Sequence, residues 1–498
     1  MNIQNRYKSI TSSKVFPVCC VIYCFLIIWL GESGSYLWGG LAAALSLFLV
    51  PIPEYLLLPL FSSILLNNNC FLLPDVTASR YFTLLFIAAQ GLQLLLRREI
   101  KASCRRFLYP AVLLLYFAAS AFFLSGGIHA GVITIAMNII LAAMIGSLGG
   151  ERLRKIMSLL PFAAIADLSY LYGALISGTR LTITYGRYWL LGMETNINNI
   201  AMILAQLAIL YFGYSVFFYA KRATRSSFLY LLFYFFSLYL LVLTGARSSL
   251  FGLAAGCFLL GLLLLRTIPS REDKKQVFAV LLLLCLLSAA EILATPYIQQ
   301  NFQSAPLASD PLPSDPLPSD PLPSDPLPSD PLPSDPLPSD SNVQIASDYW
   351  HRVNPLDEYW GQSAGRTDIW KILVEKAILS HPLFGVGYGN VSSILQANND
   401  SHSGAHNILV GILAALGLVG LLLLAIPLIR LLIRSLKLLQ SNPILFPVLG
   451  LIFTALATGI GEDIYTERFL WFAIGLNLCL LEQTDAWEQD RSCQAAQI

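Results

Sequence analysis

The chain has 498 residues, of which 56% are hydrophobic and 12% charged, with a formal net charge of +1. Soluble domains carry roughly twice that share of charge, so a soluble globular protein is excluded and a polytopic α-helical membrane protein is expected. The charges are sorted by loop, so their sum says little about partners; membrane lipids are expected and nucleic acid is not.

Apolar stretches recur near 16–31, 36–52, 55–73, 80–96, 107–125, 129–148, 156–177, 197–218, 228–244, 249–265, 277–294, 406–429, 444–460 and 469–482. A bilayer needs about 20 such residues per helix, which predicts twelve to fourteen transmembrane helices. The second and third are the weakest, because Pro51, Pro53 and Glu54 interrupt them. The first follows Arg6, Lys8 and Lys14 like a signal peptide. No small-residue cleavage site follows it, so it is expected to be retained, with the amino terminus cytoplasmic.

Lys and Arg gather at 97–106, 152–155, 221–225, 266–275 and 430–437, each cluster an even number of spans from the next. All five therefore fall on one face, which the positive-inside rule makes cytoplasmic. The outer loops then begin near 178, 245, 295 and 461. This divides the chain into amino-terminal helices (1–294), one large extracytoplasmic loop (295–405), carboxyl-terminal helices (406–482) and a cytoplasmic tail (483–498). The nine cysteines avoid the large loop and show neither a disulfide framework nor zinc spacing.

That loop holds six Pro-Leu-Pro-Ser-Asp pentads from Pro311 to Asp340, preceded by a degenerate copy from Pro306. Proline at this density forbids helix and sheet and favours polyproline II. Fully extended, the segment 306–340 is a semi-rigid spacer of up to roughly 100 Å; a stalk and a tolerated tandem expansion both fit it. Beyond it, Trp370, Leu373, Val374, Ala377 and Ile378 recur at helical spacing, predicting an amphipathic helix over 365–380 at the membrane surface. Pro382 ends it, and Gly385-Val-Gly-Tyr-Gly389-Asn390 reads as a flexible turn. It lacks the strand–loop–helix context of a phosphate loop, so nucleotide binding is rejected.

Chemistry is sought among ionisable residues on the outer face, where burial is costly and therefore informative. His406-Asn407 opens an apolar run that reaches Gly417-Leu-Val-Gly420 after nine intervening residues. A histidine there moves protons near neutral pH, and the helix end beside it attracts anions such as a diphosphate. His402 lies just upstream; His129 and His381 read as structural. Arg187 stands in Tyr185-Gly-Arg187-Tyr-Trp, Arg247 in Leu243-Thr-Gly-Ala-Arg247-Ser-Ser, and Arg180 and Arg366 are weaker candidates. Glu462, Asp463 and Glu467 form an acidic patch with two readings, loop solvation or the orienting of a histidine or sugar hydroxyl. No Asp-x-Asp pair occurs on this face, so neither a metal site nor another cofactor is expected. Guanidinium forks hold a diphosphate bidentately, and a neutral imidazole takes a proton from an attacking hydroxyl. The candidate set is thus His406 as base, Arg187 and Arg247 for diphosphate, and His402, Asn407, Arg366, Glu462 and Asp463 as acceptor-binding or orienting residues.

These segments resemble the bacterial O-antigen ligase and O-antigen polymerase superfamily. His406-Asn407 with Gly417-x-x-Gly420 is similar to its ligase signature in spacing and residue type. Leu243-Thr-Gly-Ala-Arg247 resembles its Thr-x-Ser-Arg segment, with Ala246 in place of serine. Residues 192–201 resemble its Gly-Thr-Phe-x-x-Pro-Asn segment, with Ile197 in place of proline. Gly365-Arg366 and Pro382-Leu-Phe-Gly385-Val-Gly387 resemble parts of its large outer loop. The likeness spans roughly 180 to 420. It implies a helical fold like the GT-C membrane glycosyltransferases, an undecaprenyl-diphosphate-linked glycan donor and a glycan or lipid acceptor. A polysaccharide flippase or transporter, and a non-catalytic anchor for the repeat, are the competing classes; no paired broken helices are visible for a transporter.

Overall fold

The structure is a computed structural model. It describes residues 15–31, 36–66, 71–73, 76–96, 100–125, 127, 130–178, 181–184, 187–191, 196–268, 270–303, 366–398 and 404–495. The pentad repeat and His402 lie outside the described residues.

The architecture is all-α and polytopic. In chain order the helices are α1 (Val15–Gly31), α2 (Tyr36–Ser46), α3 (Leu57–Leu66), α4 (Ala78–Leu96), α5 (Ile100–Leu124), α6 (Ala130–Gly146), α7 (Gly150–Ser177) and α8 (Ile197–Ala220). After these come α9 (Thr224–Thr244), α10 (Arg247–Thr267), α11 (Arg271–Gln303), α12 (Arg366–Leu373), α13 (Asn390–Ala397), α14 (Ile408–Leu438), α15 (Leu445–Thr458) and α16 (Arg468–Ala495). Among the described residues, eight helices have stretches long and apolar enough to cross a membrane, and five shorter apolar helices accompany them. All fourteen apolar stretches are helical over most of their length, but the third ends at Leu66. Two short hairpins, β1 (Phe71–Leu73) with β2 (Val76–Thr77) and β3 (Thr182–Thr184) with β4 (Arg187–Trp189), lie between helices.

Helix α8 is the axis of the molecule, its membrane-length window buried throughout, and α9, α10 and α15 pack around it. Its aromatic residues repair a neighbour. Pro161 inside α7 has no N–H to give the carbonyl four residues back, at Met157. In a bilayer that carbonyl has no water to turn to, and the hydroxyl of buried Tyr214 donates to it. Tyr211 donates likewise to the carbonyl of Pro161 at 3.1 Å. At the other extreme, only 6% of the membrane window of α11 is buried, so most of this helix faces lipid.

A second apolar cluster joins α5 and α6 to the segment from Arg366 onward and to α14, through Leu113, Phe117, Ile135, Ile369, Leu373 and Ala415. The amphipathic helix forms as α12, extended by a single wide turn, Val374–Ile378. Leu373 and Ala377 of the predicted stripe are buried in line with Ile369, Trp370 and Ile378 are partly buried, and Val374 is exposed. Residues four apart share a helical face, and the wide turn shifts the phase of the residues after it.

Two expectations for the neighbouring segments are corrected. The apolar run from Ile408 is not one continuous helix: Gly417 has φ 65° and ψ −169°, and α14 breaks there. The glycine-rich segment is not a loose turn either, because it fills that break. Val386 and Gly387 donate to the carbonyls of Ala414 and Ala415 at 2.8 and 3.0 Å. Leu418 and Val419 donate to the carbonyls of Pro382 and Leu383 at 2.9 and 3.0 Å. Tyr116 caps the carbonyl of Leu416 at 2.5 Å. Groups orphaned by the break are thus satisfied by the loop and α5, as a membrane interior requires. The backbone angles at Gly417 are essentially glycine-only, and a Cβ there would strike the backbone of Leu383.

Candidate active site at the amino end of the broken helix

Asn407 caps α14, its side chain accepting from the N–H groups of Leu409 and Val410 at 2.9 and 3.1 Å. The N–H of Ile408 goes to the carbonyl of Gly459 at 2.7 Å, and that of Asn407 to Asp463 Oδ1 at 3.4 Å. The first-turn donors are therefore all taken, which corrects the expectation that this helix end receives a diphosphate. Asn407 is a cap, and its Nδ2 also ties the turn to Ile460 at 3.0 Å.

The fixed cap leaves His406 in an unusual backbone conformation, with φ 48°. A non-glycine residue there costs about 1 kcal/mol, and strain of this kind collects at functional sites. Asp463 Oδ2 accepts from the backbone N–H of His406 at 2.9 Å. The imidazole, about a quarter exposed, places Nδ1 at 3.4 Å from Glu462 Oε2. The other oxygen of Glu462 takes Arg366 Nη2 at 3.3 Å and Ser248 Oγ at 3.4 Å. Glu462 is 7% exposed; a carboxylate so buried is tolerated because a guanidinium, an imidazole and a hydroxyl share it. Glu462 is therefore not a solvated loop carboxylate: it is buried and in contact with these three side chains.

The turn that delivers Glu462 depends on a glycine: a Cβ at Gly461 would come within 2.9 Å of Ser248 Cβ and 3.3 Å of Arg366 Nη1. Three distant segments converge here, namely the start of α10, the start of α12 and the α15–α16 turn. Trp370 pins the approach, donating from its indole N–H to the carbonyl of Ala405 at 2.8 Å.

The hydrogen bond to Glu462 raises the pKa of His406 above its ordinary value; burial and Arg366 oppose this, while the charges of Glu462 and Asp463 add to it. Burial raises Asp463, against the N–H donors of His406 and Asn407. Burial also pushes Glu467 up to about 7, with Arg468 opposing. Tyr388 and Tyr465 meet edge to face at 6.3 Å beside these acids.

Arg247, half-buried, is the first residue of α10, after the left-handed cap Gly245 and directly before Ser248. Arg187 is paired with Thr184 in the β3–β4 hairpin, which packs on α9; its side chain lies outside what is described, as do Arg180 and His129. His381 is exposed on the loop after α12. Ser248 was not anticipated, though it adjoins a predicted arginine; nothing local marks it, since its partner is 214 positions away.

Below Asn407 lies an apolar cavity of about 480 Å³ between α5, both parts of α14 and α16, lined by Tyr109, Ile412, Pro427, Leu456 and Trp471 among others. A hydrophobic recess thus opens next to the polar cluster.

Comparison with known families gives a match over residues 231–425 to the family described as O-antigen ligase. The matched segment holds Arg247, Arg366, His406, Gly417 and Gly420, whereas Arg187 and Glu462 fall outside it. No curated protein matched the chain. Over this segment the chain is similar to the O-antigen ligase family, and its many apolar helices are those of a multi-pass membrane protein.

Proposed function

We propose that the protein is an inner-membrane glycosyltransferase that polymerises or ligates surface polysaccharide carried on undecaprenyl diphosphate, working at the outer face without a metal. The carrying observation is the His406–Glu462 pair, with Arg366 and Ser248 on the far oxygen of the carboxylate. When Nδ1–H donates to Glu462, the lone pair rests on Nε2. That nitrogen takes the proton of an acceptor hydroxyl as its oxygen bonds to the anomeric carbon of the donor sugar. The sugar–oxygen bond to the diphosphate breaks with its electron pair, and the departing anion is held by Arg247 and Arg187. Arg366 is engaged with Glu462, so its role is to hold that carboxylate in place. The apolar cavity beneath Asn407 suits part of an isoprenoid tail, bringing the diphosphate to the membrane surface beside His406. The large loop, with α12 over the site, lies on the outer side, and the five basic clusters face the cytoplasm.

The break in α14 is a feature that transporters use, and it favours the flippase reading as runner-up. Transport sites leave such half-helix ends open to a ligand; here loop 382–389 occupies them, which favours transfer.

The test is the length profile of lipid-linked glycan in cells carrying His406→Ala beside wild type, at equal protein abundance. Single repeat units accumulating identify a polymerase, and full-length chains stranded on the lipid identify a ligase. An unchanged profile overturns the role of His406.

A further inference from the structure

Far along the chain from His406, a cavity of about 730 Å³ opens where α8 turns into α9, between the end of α10, the start of α11 and the α14–α15 turn. Its lining is layered. Arg222, Thr224 and Gln440 are exposed and Thr267 half-buried, whereas Leu264, Val277, Leu439 and Phe446 beneath them are buried. Arg222 is held with φ 59°, one of two non-glycine residues so placed among those described, the other being His406. Its N–H donates to the carbonyl of Tyr219 at 2.8 Å, which holds the backbone of this turn in its strained conformation. Lys221 lies over the ring of Phe217 at 4.3 Å.

Lys221, Arg225, Arg266, Arg271 and Lys274 are each exposed and stand within a few positions of lining residues in the sequence. Lys275 is already paired with Glu272 at 2.8 Å. Asp273 also lines the cavity, and its charge serves the first turn of α11. The adjoining helix α11 is the one that lipid covers most, and its main protein neighbours are α9 and α10 alone.

We propose that this cavity binds one acidic phospholipid. Its phosphodiester meets Arg222, Thr224, Thr267 and Gln440, and an acyl chain lies over Leu264, Val277, Leu439 and Phe446. Polar groups above a buried apolar floor match a molecule with that same division, and the surplus of cations selects an anionic headgroup. The lipid fills the gap between α11 and the bundle, fastening the helix that leads into the large loop.

The experiment uses the full-length protein in mild detergent, with retention of phosphatidylglycerol and phosphatidylcholine followed by native mass spectrometry. Phosphatidylglycerol is expected to be retained about tenfold better, and Arg222→Glu to remove that preference. Arg225→Glu, close by in the sequence but outside the lining, is expected to change it by less than about twofold. Gln440→Leu, which adds no charge, provides a second variant if Arg222→Glu does not fold, and lowers retention in the same direction. Equal retention of the two lipids overturns the proposal, as do equal effects of Arg222→Glu and Arg225→Glu. Displacement of the lipid by millimolar inorganic phosphate assigns the site to a free anion and likewise overturns it. None of these readouts involves glycan transfer.

Discussion

The short helix over residues 408–416 is held at its two ends by different chemistry. At its amino end it meets ionisable side chains: Asp463 takes the N–H of His406, and Glu462 gathers His406, Arg366 and Ser248. At its carboxyl end it meets chiefly backbone, four hydrogen bonds with loop 382–389, two donated and two accepted by the loop, closing the break at Gly417. The His406-Asn407 and Gly417-x-x-Gly420 parts of one sequence signature thus mark opposite ends of a single half-helix. One end carries an imidazole and carboxylates; the other meets backbone and the Tyr116 hydroxyl, and serves to keep the first in position. Substitutions at the amino end are therefore expected to lower turnover in a folded protein, and those at the carboxyl end to lower the amount of folded protein.

The largest effect belongs to His406→Ala, with transfer reduced roughly 10²- to 10⁴-fold, the range of a lost general base. Thermal stability in detergent is expected to hold, since the substitution removes no apolar packing; parallel loss of folded protein would erase the contrast between the ends. Gly417→Ala sets the opposite pole. Its backbone angles and the approach of Leu383 predict a loss of about 3 kcal/mol or more, read as a lower melting temperature and poor yield. A variant that folds normally would show the break to be dispensable. Arg247→Lys keeps the charge beside Ser248 but loses the planar fork, and transfer is expected to fall about tenfold or more; normal turnover would remove bidentate diphosphate binding from the account. Ser248→Ala deletes one long hydrogen bond to Glu462, and a loss under about threefold is expected. A larger loss would make Ser248 part of acceptor binding.

Much of this fold was legible in the sequence, because burial in lipid demands long apolar runs whatever their packing. The same hydropathy did not say that α8 is buried throughout while α11 faces lipid, since both read alike at the level of single residues. Asn407 was legible at the head of its helix, and its side chain proved to be the cap. The break at Gly417 was not, because glycine is common in membrane helices and its angles are set by a loop some thirty positions earlier. At the candidate site, His406, Arg366, Glu462 and Asp463 were named from residue type and side of the membrane, and the fold brings them together. Their arrangement was hidden: Glu462 lies 56 positions from His406 and 96 from Arg366, and no local pattern encodes such a contact. The anionic role first expected at the helix end failed for a local reason, namely that Asn407 and Gly459 already use its donors.

The account rests on His406 acting as a base steered by Glu462, and the pH dependence of transfer tests it most directly. A base works in its neutral form, so the rate rises with pH through the His406 pKa, which the hydrogen bond to Glu462 holds above 6.5. Glu462→Gln removes that support, and burial then pulls the imidazole down. In membranes containing wild type or Glu462→Gln, the rising limb is therefore expected to move to lower pH in the variant, beneath a reduced plateau. A limb that stays where it was, with Glu462→Gln folded and present, would contradict the pairing of these residues in the reaction.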